Sequence, residues 1–380
     1  MKHDYPAPFI IAPLSDHTHT FILLHGRGSN GPKFGQVLVE FAITCSAPSS
    51  ADNNNGNSSI LQQTFPTVKF IFPTAKKRRS TILKRIPINQ WFDNYSLDDP
   101  SEREHLQVDG LRETTEVVHQ LIRDEVEGGI PLERIVLGGL SQGCAASIYA
   151  MLTFDRGRLG GYIGMSGWFP FVKYVNGSDK KEKVKVGEDI IGGDEGFGIN
   201  THGIDVDDDF ERKAEVSDED ESDEEDNEDE DDDDDDDETD DDDSDDDEED
   251  KDENNNTGSK HIKRTAPPTT ESTNTHLQRL DAIEALNFLR ENIDFALIDT
   301  ETGADDHNLS VLRTPVFLGH GEEDEKVSVK LGEQIRDALV GTFFMSVTWK
   351  SYAEFGHWYK VPEEIDDIVE FLRKNVEGLA

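Results

Sequence analysis

The sequence predicts an α/β fold in which a mostly parallel sheet is covered by helices on both faces. Short apolar runs typical of buried strands alternate with amphipathic segments typical of helices, both before residue 172 and after residue 276. In the stretch Arg134–Tyr149, an apolar run passes through glycines and Ser141 into small residues suited to a packed helix. A strand, a sharp turn and a helix in this order indicate a functional site at Ser141.

The acidity of the chain comes mainly from one segment. From Ser217 to Asp250, 29 of 34 residues are acidic and none is basic, and without these acids the formal net charge is −16 rather than −45. Like charges at this density cannot collapse into a core, which predicts a disordered acidic insertion over residues 173–275. We therefore expect one α/β domain in two parts, residues 1–172 and 276–380.

The cysteine content and the apolar runs indicate the compartment. The two cysteines, Cys45 and Cys144, are too few for a disulfide framework. Prolines interrupt the N-terminal apolar residues where a signal peptide requires an unbroken helix, and no apolar run approaches the length of a membrane span. These features predict a soluble protein of a reducing compartment, the cytoplasm or the nucleus.

The first strand, Phe21–Leu24, leads directly into a glycine-rich loop, His25–Gly31. Glycines after a strand allow backbone N–H groups to face a ligand. This loop is therefore either an oxyanion-binding loop or a plain glycine turn before a helix that starts near Pro32. His17 and His19, which precede the strand, are expected on a solvated segment.

A basic segment follows the next strand, Val68–Phe72. Apolar residues lie between its six cations, which are Lys76, Lys77, Arg78, Arg79, Lys84 and Arg85. The pattern is compatible with contact to an anionic surface, with a nuclear-import signal or with a solvated loop, and the solvated loop is the simplest interpretation. Trp91, on a loop beyond this segment, is suited either to core packing or to lining an acyl pocket.

Two elements lead to the serine turn. Apolar residues spaced along one helix face predict an amphipathic helix over Leu106–Val126, which ends at a glycine pair. A buried strand from Ile135 then enters the motif G-x-S-x-G. A serine on such a strained turn needs glycine neighbours, and the free N–H groups of the next helix point at the group that the serine attacks. Ser141 is therefore the candidate nucleophile.

The strands beyond the turn complete the candidate site. Gly160–Gly167 is predicted as a buried strand closed by Trp168, and a helical stripe begins at Leu277 after the insertion. A strand, Thr314–Leu318, then opens into the segment His320–Asp324. An acidic residue just past a late strand is where a serine hydrolase needs the carboxylate that orients its imidazole. Three acids compete for this position: Glu322, Glu323 and Asp324.

A helix (Val327–Leu339) and a strand (Phe344–Trp349) precede a histidine, His357, on a loop with a glycine before it. A final covering helix starts at Pro362. The order Ser141, Asp324, His357 is the nucleophile, acid and base order of α/β-hydrolases. Two alternatives stay open at this point, since Asp324 could instead cap the following helix and His357 could pack against Trp358.

Five segments resemble the acyl-protein thioesterase and carboxylesterase family, also called phospholipase/carboxylesterase. They are Leu24–Gly31, Gln90–Asp93, Gly129–Gly143, His320–Asp324 and the pair Gly356–His357. The resemblance implies Ser141 as nucleophile, Asp324 as orienting acid and His357 as base. It also implies an oxyanion hole made by the backbone N–H groups of Arg27 and Gln142. Substrate contacts are expected at Trp91 and Trp168.

The resemblance implies cleavage of acyl thioesters or esters through an acyl-serine, with protein S-depalmitoylation as the main expectation. A general carboxylesterase or lysophospholipase is the alternative among enzymes, and a binder of basic proteins through the acidic insertion is the alternative outside enzymes. Acylated proteins or small acyl esters are the expected substrates, together with transient contact to anionic membranes and no binding of nucleic acid. The chemistry requires no metal or organic cofactor. The family pattern lacks the long insertion, and many members have an apolar residue in place of Arg27.

Overall fold

The computed structural model describes residues 5–40, 42–43, 59–176, 270–299 and 309–379. The acidic run and most of the predicted insertion lie outside the described residues. Apart from Thr270–Ser272, the strands and helices described below belong to one compact unit.

Seven strands form the central sheet. The strands of the described part of the chain are β1 (Phe9–Ile11), β2 (His19–Leu24), β3 (Ala42–Ile43), β4 (Ser59–Ile60), β5 (Val68–Phe72), β6 (Lys77–Ser80), β7 (Ile86–Asn89), β8 (Ile135–Leu140), β9 (Gly161–Met165), β10 (Val316–Gly321) and β11 (Val347–Tyr352). In the central sheet they lie in the order β1-β5-β2-β8-β9-β10-β11. All neighbours pair in parallel except β1, which runs antiparallel to β5 at the edge.

Helices cover this sheet on both faces. They are α1 (Gly31–Glu40), α2 (Leu61–Thr64), α3 (Val108–Glu127), α4 (Gln142–Thr153), α5 (Val172–Val175), α6 (Thr270–Asn292), α7 (Val329–Gly341) and α8 (Glu363–Asn375). Alternate residues of one strand join two separate apolar cores: Ile22 of β2 lies in the core with α3, α4, α6 and α7, whereas Phe21 lies in the core with α1 and α8. Successive strand side chains point to opposite faces. The predicted mostly parallel sheet with helices on both faces is therefore confirmed.

Helix α4 is buried along its whole length. Every residue from Gln142 to Thr153 is buried, which agrees with its small and apolar sequence. Tyr149 Oη donates a hydrogen bond to the Leu289 carbonyl of α6 (2.6 Å), and the His119 ring of α3 lies 2.8 Å from the Ala150 carbonyl. Helix α4 is thus held between the sheet and its neighbours, and this packing fixes the position of the serine turn at its start.

The N-terminal segment differs from the prediction. His19, expected on a solvated segment, is the first residue of β2 and is buried, with its ring Nε2 2.9 Å from the Glu377 carbonyl. Before it, β1 adds an edge strand that the sequence analysis did not predict. A strand of three residues carries too few alternating positions to be recognised from its pattern.

The basic segment is a hairpin rather than a loop. Strands β6 and β7 pair antiparallel, and the turn between them includes Lys84 (φ 50°) and Arg85 (φ 68°). A left-handed turn made without glycine or asparagine lacks the usual hairpin signal, which explains the missed prediction. Lys76 and Arg78 both form ion pairs with Glu113 of α3. The other four cations of the segment are exposed: Lys77, Arg79, Lys84 and Arg85.

The second part of the chain follows the predicted succession of elements with shifted boundaries. Helix α6 begins at Thr270, seven residues before the predicted start, and α5 lies at the beginning of the predicted insertion. Strands β10 and β11 each begin and end two or three residues later than predicted. None of the described helices is both long and apolar enough to cross a membrane.

Candidate active site

Ser141 lies on the sharp turn between β8 and α4. Its backbone has φ 55° and ψ −120°, a strained conformation for a residue with a side chain. The motif glycines make the turn possible through close approach. A Cβ on Gly139 would lie 2.5 Å from the backbone of Gly143, and a Cβ on Gly143 would lie 2.2 Å from the Leu24 carbonyl oxygen. The G-x-S-x-G pattern is therefore a steric requirement of this turn.

The side chains of Ser141, His357 and Asp324 form one hydrogen-bonded chain. Ser141 Oγ lies 3.0 Å from His357 Nε2, and His357 Nδ1 lies 2.8 Å from Asp324 Oδ2. Asp324 and Ser141 are buried, whereas the His357 ring is partly exposed. Because an ionised carboxylate only accepts, Nδ1 carries the hydrogen in this arrangement and Nε2 is left to accept the serine proton. The structure thus brings together three residues that are far apart in the sequence.

The Asp324 carboxylate is held in its ionised form. Burial by itself would raise the pKa of this carboxyl, but hydrogen bonds from the His320 and His357 rings and from the Val327 N–H outweigh it and hold the pKa well below its ordinary value. A permanently charged carboxylate can orient the His357 ring and stabilise its protonated form.

The competing acids lie elsewhere. Glu322 and Glu323 are both exposed, and Glu322 accepts a hydrogen bond from Ser351 Oγ at 2.7 Å. Of the three predicted candidates, Asp324 is the one whose carboxylate contacts His357. The backbone turns at the end of β10, so consecutive side chains in this segment point in different directions.

The two predicted oxyanion donors belong to segments that adjoin Ser141. Gln142 is the first residue of α4, where backbone N–H groups have no acceptor within the helix. Arg27 follows Gly26, on which a Cβ would lie 3.6 Å from Ser141 Cβ. Gly28, at φ 86°, donates its N–H to the last carbonyl of β7 at 2.8 Å. The loop that carries Arg27 is therefore anchored on the basic hairpin.

The Gln142 side chain has a role that the sequence analysis missed. It is fully buried, its Oε1 accepts the Trp91 N–H (3.0 Å), and its Nε2 donates to the Phe92 carbonyl (2.8 Å). These two hydrogen bonds connect the Gln90–Asp93 segment to the serine turn. The only signal for this contact in the sequence is that the Gln90–Asp93 segment and the G-x-S-x-G motif occur in the same chain.

Trp91 is part of the core, which favours the core-packing interpretation of this residue over contact with substrate. Its side chain is fully buried, and its Nε1 donates to the His25 carbonyl at 2.7 Å. Trp168 is also buried, but it borders a surface groove of about 270 Å³. A Cβ on the preceding residue, Gly167, would lie 3.2 Å from the Ser141 carbonyl. Trp168 therefore adjoins space that a ligand can enter.

The buried ring of His25 connects the glycine-rich loop to the segment after β5. Its Nε2 accepts the Ala75 N–H (3.0 Å), so its Nδ1 carries the hydrogen and donates to the Gly26 carbonyl (2.6 Å). Burial lowers the pKa of His25 to about 4, and the ring is therefore neutral at physiological pH. These contacts indicate a structural role for His25 rather than a role as base.

The site has the groups that a nucleophilic hydrolase needs: a strained serine, an imidazole in contact with it, a buried carboxylate bound to the imidazole and N–H groups beside the serine. In the ranges that the structure describes, no three His, Cys, Asp or Glu side chains are grouped so as to hold a metal ion.

Comparison with known proteins agrees with this geometry. The sequence model of the phospholipase/carboxylesterase family matches residues 5–200, which is more than half of the chain. Acyl-protein thioesterase 1 of Cryptococcus neoformans is 36% identical over 160 residues, which are 42% of this chain and 58% of that protein. Acyl-protein thioesterase 1 of Schizosaccharomyces pombe is 34% identical over 161 residues, which are 42% of this chain and 61% of that protein.

The match thus spans about three fifths of the length of these relatives. Among solved structures, Zea mays acyl-protein thioesterase 2 superposes with a TM-score of 0.51 at 19% identity, over 98% of this chain and 100% of that chain, which shows the shared fold. The family match, the serine turn and the sheet topology agree, and the chain belongs to the phospholipase/carboxylesterase family.

Proposed function

We propose that the protein is a serine hydrolase that cleaves acyl thioesters or esters, with acyl-protein thioesterase activity as its main function. The observation that carries the proposal is the hydrogen-bonded chain from Ser141 Oγ through His357 to Asp324, with distances of 3.0 and 2.8 Å. It supports Ser141 as nucleophile, His357 as base and Asp324 as the residue that orients the base.

The reaction proceeds in two halves. Ser141 Oγ attacks the acyl carbonyl carbon as His357 Nε2 takes its proton, and the carbonyl oxygen becomes an oxyanion that the N–H groups of Arg27 and Gln142 stabilise. The oxyanion collapses, the thiolate or alkoxide leaves with the proton from His357, and an acyl-serine remains. Water then attacks the acyl-serine by the same route, which releases the carboxylic acid and restores Ser141.

The groove next to Trp168 has a mixed lining. Phe169, Phe171 and Leu331 contribute apolar atoms, whereas Glu104, Lys173 and Lys330 contribute charged ones, and Ser141, Asp324 and His357 are not among its lining residues. The groove adjoins the serine turn through Gly167, so it can hold part of a substrate that carries both an apolar acyl group and polar groups. The names of the relatives add support for a protein-bound acyl thioester. A general carboxylesterase or a lysophospholipase uses the same catalytic residues, so substrate preference decides between them.

The deciding experiment is a matched substrate panel. Thioesters and oxyesters with the same acyl groups from C2 to C16, an S-palmitoylated peptide and a lysophospholipid are compared by kcat/KM, with the Ser141→Ala variant as the blank. The proposal requires kcat/KM to be higher for the S-palmitoylated peptide than for the lysophospholipid. A clear preference for lysophospholipid, or for short oxyesters over all thioesters, would contradict the thioesterase assignment while leaving the serine mechanism intact.

We further propose contact with anionic membranes through the hairpin β6–β7. Its tip exposes Lys84 and Arg85 beside Ile86, whose side chain is 58% exposed. Cations next to an apolar side chain suit the boundary between anionic headgroups and acyl chains. Residence in the cytoplasm, or the nucleus, belongs to the same proposal. Binding of basic proteins by the acidic insertion remains a prediction about residues outside the described part of the chain.

A further inference from the structure

His320 lies near the end of β10. Its ring contacts the carboxylate of Asp324, which also contacts His357. Its side chain is buried, with 1% exposure. Its Nε2 lies 2.8 Å from the Val327 carbonyl oxygen and 3.2 Å from Asp324 Oδ2. The proposed mechanism uses Ser141, His357 and Asp324 and gives no role to His320. The His320 ring nevertheless contacts the same oxygen of Asp324 as His357 does.

The hydrogen-bonding chemistry fixes which ring atom carries the proton. A carbonyl oxygen only accepts, so the short contact with Val327 requires a hydrogen on His320 Nε2. That hydrogen lies between two acceptors, the Val327 carbonyl and Asp324 Oδ2, and forms a shared bond. The neutral ring is sufficient for this contact.

With His320 included, both oxygens of Asp324 have two donors each. Oδ1 accepts the backbone N–H groups of Lys326 (2.9 Å) and Val327 (2.8 Å), and Oδ2 accepts from His357 and His320. Val327 closes a ring of contacts, because its N–H holds Oδ1 while its carbonyl holds the His320 ring. A carboxylate bound from four directions has little freedom to rotate.

Helix α7 makes room for this imidazole. A Cβ on Gly332 would lie 2.4 Å from His320 Nδ1 and 2.9 Å from Trp349 Cη2. Glycine inside a helix is less favourable than alanine, so its presence on the face against the ring calls for a packing reason. The reason here is the space that the His320 and Trp349 rings occupy.

We propose that His320 is a positioning residue of the triad: its shared Nε2–H holds the Asp324 carboxylate in the orientation that bonds His357. The inference deepens the proposed hydrolase function and rests on it. His320 acts through Asp324 and does not touch the substrate. Without this donor, the Asp324 carboxylate can rotate more freely. Its charge also acts more strongly on the His357 ring, because one hydrogen bond no longer shares it, and the protonated ring then loses its proton less easily.

Three variants test the role. His320→Leu removes the donor and replaces the ring with an apolar side chain of moderate volume. His320→Gln places an amide N–H near the position of Nε2. Gly332→Ala keeps His320 but adds a methyl group that displaces its ring from the α7 side. The readouts are kcat, the acid limb of the pH profile of kcat/KM for a small soluble ester, and the NMR resonance of the His357 Nδ1–H proton. The resonance is assigned by its loss in Asp324→Asn and does not require turnover.

For His320→Leu, we expect kcat to fall roughly ten- to a hundredfold, as for a displaced catalytic group. The acid limb should move to higher pH and the Nδ1–H resonance should shift. His320→Gln should restore both towards the parent, which a packing role alone does not predict. Gly332→Ala should stay folded and lower kcat in the same direction, and it provides the test if His320→Leu does not fold.

The outcomes separate this inference from the proposed function. If the parent hydrolyses esters and either folded variant, His320→Leu or Gly332→Ala, leaves kcat, the acid limb and the resonance unchanged, the positioning role is overturned. Equal losses in His320→Leu and His320→Gln would also overturn it. If the parent shows no hydrolysis but His320→Leu moves the resonance, the proposed function fails and the coupling of His320 to His357 through Asp324 is upheld.

Discussion

The carboxyl group of Glu364 in α8 packs directly against Gly319 of β10: a Cβ on Gly319 would lie 2.0 Å from Glu364 Oε1. Glu364 is fully buried, and its Oε2 accepts the Lys360 N–H at 2.9 Å. Among the described residues, its Oε1 has no hydrogen-bond partner. Burial raises the pKa of Glu364 to about 8, with a smaller contribution from the nearby Asp367 carboxylate.

This carboxyl should make the stability of the protein depend on pH. Its pKa is raised on folding, so the stability that the neutral carboxyl preserves is complete below the ordinary value of 4.5 and is lost as the pH rises towards about 8. The loss amounts to about 1.4 kcal/mol per pH unit within this window. Glu364→Gln should remove this dependence. Urea unfolding at pH 5, 6 and 7 should therefore show that the free energy of unfolding of the variant increases relative to that of the parent as the pH rises.

The exposed neighbour provides the control for this measurement. Glu363→Gln, one residue earlier on the same helix, should give a difference from the parent that stays constant over the same pH range. A constant difference for Glu364→Gln as well would show that the buried carboxyl is ionised at neutral pH.

Ser141→Ala should abolish hydrolysis of esters and thioesters and labelling by a fluorophosphonate. Loss of one member of such a triad removes several orders of magnitude of rate. The circular dichroism spectrum and the melting temperature should stay close to those of the parent, since only one hydroxyl is lost. Persistent labelling in this variant would place the nucleophile elsewhere.

Asp324→Asn should lower kcat by roughly 10³–10⁴, because an amide favours the wrong tautomer of the His357 ring. Glu322→Gln and Glu323→Gln are matched controls, since both acids are exposed on the same turn and should lower kcat less than about twofold. Comparison of kcat for the three variants assigns the carboxylate. The largest loss in Glu323→Gln would contradict the assignment.

Gly143→Ala should destabilise the protein and abolish fluorophosphonate labelling together. Its methyl group would lie 2.2 Å from the Leu24 carbonyl oxygen and 2.6 Å from the His25 carbonyl oxygen, and these backbone atoms belong to packed segments that cannot move aside easily. Such overpacking costs roughly 1–3 kcal/mol. Gly341→Ala, where a Cβ would have no neighbour within 4 Å, should change the free energy of unfolding by less than about 0.5 kcal/mol. Equal stability of the two variants would mean that the turn is not tightly packed.

Reversing the charge at the hairpin tip should weaken binding to anionic vesicles. The double variant Lys84→Glu with Arg85→Glu should lower the partition coefficient by roughly tenfold or more, since each cation near such a surface contributes about 1 kcal/mol. Arg156→Glu, another exposed cation outside the hairpin, is the control. The difference should shrink as salt shortens the Debye length below about 10 Å. Equal binding by both variants at low salt would exclude the hairpin as the contact.

The sequence predicts the elements that have strong local signals. The serine turn is one, because glycine is required on both sides of Ser141, and the buried strands are others, because they read as continuous apolar runs. The positions of Asp324 and His357 were predicted by a general rule, since groups that follow parallel strands meet at one edge of the sheet.

Features that depend on contacts between distant segments could not be predicted in this way. The burial of Trp91 follows from its bonds to His25 and Gln142, which no local pattern indicates. The hairpin β6–β7 has a left-handed turn made by a lysine and an arginine, whose usual preference is against it. The contact between His320 and Asp324 spans only four residues, but it depends on how the chain turns after β10, and no residue pattern specifies that turn.

Strand β10 pairs with β9 in parallel, from Val316 against Tyr162 to Gly319 against Met165. This ladder joins the two parts of the chain. Ser141 comes from the part before the acidic run, and Asp324 and His357 come from the part after it. If the chain were cleaved between them, neither fragment would contain a complete triad, and turnover would depend on association of the fragments. The rate of hydrolysis would then measure a binding equilibrium between two peptides, with sheet pairing as the interface.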